Sequence, residues 1–83
     1  MTQTPSAMTD APVRDIRIAK HSLVIAGHRT SISLEDPFWQ ELKRIANARN
    51  LSLAGLVAQI DAGRGQANLS SAIRVFVLED LRR

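Results

Sequence analysis

At 83 residues the chain has room for one small domain, shorter than most catalytic folds require, and with no cysteine it can build neither a disulfide framework nor a thiolate metal site. Eleven Lys and Arg against eight Asp and Glu give a net charge of +3, which is compatible with contact to a phosphate backbone. No apolar run approaches the roughly 18 residues of a membrane span and the polar N-terminus lacks a signal core, so a cytoplasmic chain without membrane contact is expected.

Residues 1–20, MTQTPSAMTDAPVRDIRIAK, mix two prolines with Thr, Ser and Ala and show little periodicity before Ile16 and Ile18. They read as a flexible N-terminal arm, with residues 21–83 as the folded domain. Arg14, Arg17 and Lys20 give the arm basic groups that suit either solvent or a phosphate backbone. Residues 21–34 are strand-like. His28, Thr30, Ile32 and Leu34 fall on one face, and Arg29, Ser31 and Ser33 on the other. Leu23 and Ile25 have the opposite parity. A two-residue turn at Ala26-Gly27 restores a common face by pairing Ile25 with His28 and Leu23 with Thr30. Alanine is a poor residue for a turn that needs positive φ, so a hairpin and a bulged or broken strand both satisfy the pattern.

Asp36-Pro37 opens a first helix, with the aspartate as cap and proline at the first helical position. Phe38, Leu42, Ile45 and Ala46 follow at helical spacing, Trp39 lies on their flank, and Asn50 suits the left-handed stop. Ser52 caps a second helix with the stripe Leu53, Leu56, Val57 and Ile60, which Gly63 ends. Asn68 or Ser70 caps a third, whose Leu69, Ala72, Ile73, Val75, Phe76, Val77, Leu78 and Leu81 leave it apolar nearly all round. So short a chain cannot cover such a helix, and a lone strand leaves its backbone groups unpaired. Both features predict self-association, as a homodimer or a higher even oligomer.

The segment RTSISLEDPFWQELKRIANARNLSLAGLVAQI, Arg29 to Ile60, resembles the ribbon-helix-helix DNA-binding proteins typified by the Arc and methionine repressors. The wider string, GHRTSISLE before the helices and NLSSAIRVFVLEDL after them, is similar to a small bacterial subfamily. The resemblance implies a mostly α fold with a short β-ribbon: a homodimer with antiparallel strands paired between subunits, here with an additional C-terminal helix. It implies a transcriptional regulator whose ribbon enters the major groove of double-stranded DNA. By position, Arg29, Ser31 and Ser33 are its base-reading residues. Ser52 and the N–H groups of Leu53 and Ala54 match the helix start that holds a phosphate, joined by Arg14, Arg17 and Lys20 as further phosphate contacts. Arginine can bond guanine O6 and N7 together, serine can bond any base, and a helix N-terminus favours an anion.

Two other readings stay open. One is an oligomeric protein-interaction module of the same fold without DNA binding, which a second strand at 22–26 would favour because four strands in a dimer overfill the groove. The other is an antitoxin, for which the apolar third helix is a poor toxin-binding segment. No enzyme, cofactor, metal or small-molecule substrate is expected. Glu35 and Asp36 sit where acids favour a helix start, Gly63-Arg64-Gly65 is too short for a phosphate loop, and no nucleophile stands beside a base. His21 and His28 would need carboxylates from elsewhere to hold a metal. Trp39 reads as a core or interface filler. Gly55 invites a close approach between subunits.

Overall fold

A computed structural model describes residues 17–83. Two strands, β1 (Ile18–Ile25) and β2 (His28–Glu35), precede three helices, α1 (Asp36–Ala48), α2 (Leu53–Gly63) and α3 (Leu69–Leu81). The strands form an antiparallel hairpin in which Ile25 faces His28 and Leu23 faces Thr30. The turn is Ala26-Gly27, with φ of 52° and 83°. Positive φ at both central residues matches the right-handed twist of the flanking strands, so Ala26 accepts a conformation that favours Asn or Gly. β1 begins three residues inside the segment expected to be an arm. The pairing of Ile18, Ala19 and Lys20 with Glu35, Leu34 and Ser33 explains the extension.

The hairpin corrects one expectation. β2 is not a lone strand awaiting a second subunit, because β1 of the same chain pairs along its whole length. The outer edge of β2 has a contact as well: the Ser70 hydroxyl of α3 donates to the Ser33 carbonyl at 2.7 Å. In a hairpin with a two-residue turn the cross-strand bonds alternate outward from Ile25–His28, which aims the Ser33 carbonyl away from β1 and toward α3.

The inner face of the hairpin covers the helices. Ile25, Ile32 and Leu34 join Trp39, Leu42, Ile45 and Ala46 of α1, Leu56, Val57 and Ile60 of α2, and Ile73 and Val77 of α3 in one core. Trp39 lies within the core rather than on its flank and stacks on His21 of β1, with ring centroids 3.9 Å apart and planes 8° from parallel. The His21 Nε2 is buried without a hydrogen-bond partner, so the stack holds this ring through its faces.

The helix ends follow local chemistry. Glu35, still extended at φ −66° and ψ 144°, is the cap residue of α1 and bonds no backbone N–H. Asp36 is already helical and therefore does not cap; its Oδ1 instead accepts from the Gln40 amide at 3.4 Å. Asn50 takes the left-handed conformation at φ 57°. The Ser52 hydroxyl accepts from the Gly55 N–H at 2.9 Å, and the Asn68 carbonyl oxygen from the Ser71 N–H at 2.8 Å. Gly55 needs no subunit contact to account for it, since a Cβ there would meet the capping Ser52 Oγ at 3.0 Å. Past α2 the left-handed residue is Gly65 at φ 61°, and Gly63 remains inside the helix.

Candidate nucleic-acid interface

Alternation along β2 separates two kinds of residue. Ile32 and Leu34 point into the core, and Arg29, Ser31 and Ser33 point out and are exposed. The register sets three residues of β1 beside them on the same outward face: Val24 opposite Arg29, Ser22 opposite Ser31, and Lys20 opposite Ser33. These are the closely spaced pairs of an antiparallel ribbon, with Cα atoms about 4.5 Å apart. The result is a polar, cationic strip in which Lys20 and Arg29 stand at opposite ends and opposite strands. Ser22 carries no signal of its own in the sequence; only the hairpin register reveals it. Lys20, expected in an arm, stands within the ribbon.

The strip has firm edges. Ile18 and Val24 extend it with exposed aliphatic side chains. At its far end Glu35 receives a hydrogen bond from the Arg74 Nε at 2.9 Å, and that bond holds the carboxyl below the usual glutamate range. Glu35 is thereby neutralised by α3, and the positive charge of Lys20 and Arg29 dominates the face. Asn68, Ser70 and Ser71 at the start of α3 border a shallow cavity of about 490 Å³ that reaches Ser31 and Ser33.

The second expected group stands on a different element. Ser52 precedes α2, which packs against β1 and α3. Its hydroxyl is engaged by the Gly55 N–H, and the first in-helix bond runs from the Leu56 N–H to the Ser52 carbonyl. The N–H groups of Leu53 and Ala54 precede that bond and are therefore the free donors of this helix start. Arg17 is exposed immediately before β1. Arg14 lies outside the described residues. The hairpin thus brings Arg29, Ser31, Ser33 and Lys20 onto one surface, while Ser52, Leu53 and Ala54 form a separate group.

Other charged residues are engaged in holding the helices together. Asp80 of α3 receives both Arg44 of α1 at 3.2 Å and Arg49 at 3.1 Å. The Arg44 guanidinium is pushed up from its ordinary value, first by its hydrogen bond to Glu41 and also by Asp80. Arg64 bonds Asp61 at 2.6 Å across the end of α2. Among the described residues no cluster of three or more His, Cys, Asp or Glu side chains could hold a metal, and no helix is long and apolar enough to cross a membrane.

The family model of the ribbon-helix-helix domain matches residues 18–81, from the first residue of β1 to the last of α3. No curated protein and no solved structure matches the chain.

Proposed function

The chain belongs to the ribbon-helix-helix family, and from that premise we propose that it is a homodimeric, sequence-specific DNA-binding transcriptional regulator of the bacterial cytoplasm. The outward face of the β1–β2 hairpin is the reading surface. The family is generally one of DNA-binding regulators. The observation that carries the reading is the exposure of Arg29, Ser31 and Ser33 on a rigid ribbon whose alternate residues, Ile32 and Leu34, are locked in the core. Burial of Ile32 and Leu34 fixes the side of the ribbon from which the alternate side chains project.

The hairpin of one chain is by itself a two-stranded ribbon. Its strands lie about 5 Å apart, and a major groove about 12 Å wide admits it. Arg29 is the base-reading residue with the most discriminating chemistry, because its guanidinium can donate twice to guanine O6 and N7. Ser31 and Ser33 contribute weaker, more permissive bonds. Lys20, across from Ser33, reaches a phosphate at the groove wall, together with Arg17, Arg14 and the α2 start at Ser52, Leu53 and Ala54. No cofactor enters this function.

One observation favours a second reading, that of an interaction module without DNA binding: β1 lies beside β2. Two copies joined edge to edge would make four strands, too broad for the groove. Titration of a mixed-sequence duplex, followed by fluorescence anisotropy at several salt concentrations, separates the two. DNA binding gives log affinity falling linearly with log salt, by about 0.9 per phosphate neutralised; no binding at low salt supports the module. Arg29→Ala then tests the reading itself. It is expected to cost about 1–3 kcal/mol per half-site on a selected sequence and to relax the base preference there, whereas Arg17→Ala weakens all sequences equally. Equal losses on selected and scrambled sites would make Arg29 a phosphate contact only.

A further inference from the structure

Val24 stands at the turn end of the polar strip and is 58% exposed. The core does not use it. Its neighbours on β1 point the other way, Ile25 buried and Leu23 packed against the core. The register sets Val24 opposite Arg29, in a closely spaced pair with Cα atoms about 4.5 Å apart. A β-branched residue suits a strand, but threonine meets that need and would keep the strip polar. The other exposed aliphatic residue of this face, Ile18, borders the cavity at the start of α3 with Leu69 and Arg74. Val24 lies at the opposite end, where the chain turns through two small residues. Ala26 and Gly27 are both exposed, and a Cβ at Gly27 would meet no atom within 4 Å. So low a tip lets the backbone come close to a base edge, which a side chain as short as valine needs.

Chemistry selects what Val24 can meet there. In the major groove every base pair presents hydrogen-bonding groups, and thymine alone adds a methyl group. An isopropyl group set against donors and acceptors displaces their water and replaces none of its bonds. Set against the thymine methyl, it buries apolar surface on both partners. Arg29, in the same cross-strand pair, has the complementary chemistry: two donors for guanine O6 and N7. Successive bases of one strand are about 3.4 Å apart. Side chains rooted about 4.5 Å apart therefore serve the same base pair or adjoining ones.

We infer that Val24 is a specificity-determining residue, and that it contacts the 5-methyl group of a thymine adjoining the guanine bound by Arg29. This rests on the DNA-binding reading above. It adds a base contact from β1, the strand to which that reading gives only a phosphate contact.

Replacing thymine by deoxyuridine removes the methyl group and leaves pairing with adenine unchanged, so it is the direct test. The preferred duplex of the full chain is selected and its thymines are replaced one at a time, with affinity measured by fluorescence anisotropy. One thymine in each half-site, adjoining the guanine at which Arg29→Ala relaxes the preference, should be sensitive. Its loss is expected to weaken binding about fourfold, the equivalent of one buried methyl group. Val24→Ser has no methyl group and should bind the thymine and uracil duplexes equally. Val24→Thr keeps one methyl group and should retain part of the difference. Urea denaturation checks that both variants are folded, and the scan with the native chain depends on neither. A native chain that binds every uracil duplex as tightly as the parent overturns the inference and leaves the DNA reading intact. So does a Val24→Ser variant that keeps the native difference, or a selected site with no thymine beside that guanine. A chain that binds no duplex at low salt overturns both.

Discussion

The hairpin and α3 press one face each into the same core, yet their outer faces have opposite chemistry. The hairpin presents Lys20, Ser22, Arg29, Ser31 and Ser33, with aliphatic residues only at its two ends, Ile18 and Val24. α3 presents Val75, Leu78 and Leu81. Core formation requires neither set, so each outer face is free to be matched to something else. Hydrogen-bonding groups on a rigid ribbon suit a hydrated polar surface such as the edges of bases. Aliphatic groups beside empty hollows suit another aliphatic surface. The polar face of the hairpin and the apolar face of α3 thus differ in what they can contact.

The largest effects should come from crossing between the faces. Ile32 and Ile73 are fully buried, at 1% and 0% exposure. Replacing either by alanine is expected to cost about 2–5 kcal/mol of stability, from lost burial and the cavity left behind. Ser31→Ala, one residue away on the outer face, should stay within about 0.5 kcal/mol. Val75→Ala should differ from both. Its side chain is more than half exposed, so the cost should be no more than about 1 kcal/mol. Urea denaturation at two protein concentrations checks all four. A cost at Val75 as large as that at Ile73 would mean that its face is covered.

Much of this contrast is legible in the sequence. The alternation over 28–34 separates outward from inward residues, and the change of parity at Ala26-Gly27 is compatible with the observed hairpin as well as with a bulged strand, between which the structure decides. The stripe Leu42, Ile45 and Ala46 and the Ser52 cap needed only local chemistry, because each depends on residues a turn apart. The start of β1 did not. Ala19 and His21 are its inward residues there, so hydropathy does not alternate, and the strand exists because β2 lies alongside. Ser22 was hidden for the same reason. The Ser70–Ser33 and Arg74–Glu35 contacts span 37 and 39 residues, and no local pattern marks them.

A smaller effect should appear at the turn that makes the hairpin. Ala26 sits at φ 52°, where a Cβ costs about 1 kcal/mol, and its side chain is exposed. Asparagine tolerates this conformation and, followed by Gly27, forms the preferred pair for such a turn. Ala26→Asn is therefore expected to stabilise the chain by about 1 kcal/mol or somewhat less, seen as a higher urea midpoint with an unchanged slope. It should leave DNA affinity unaltered if the ribbon is already fixed. A large gain in affinity would instead reveal a hairpin that orders only on DNA.

The smallest effect concerns the ion pair that ties the two regions together. Arg74 of α3 donates to Glu35 at the end of β2, and this hydrogen bond holds the Glu35 carboxyl below its ordinary range. A group whose folded value is depressed stabilises the fold above its unfolded value and loses that contribution as pH falls through the folded one. The contribution is thus complete at neutral pH and disappears under acid conditions, below the ordinary glutamate value of about 4.3. Both side chains are partly exposed, so solvent and salt screen the pair and the effect is small. Glu35→Gln removes the titration while keeping a similar shape. The native chain should be the more stable of the two at pH 7, and the gap should narrow as the solution is acidified. Taking the difference between the two chains cancels the titration of Asp80 and the other carboxylates. A gap that stays constant through the acid range would mean that the carboxylate charge adds nothing to the bond with Arg74.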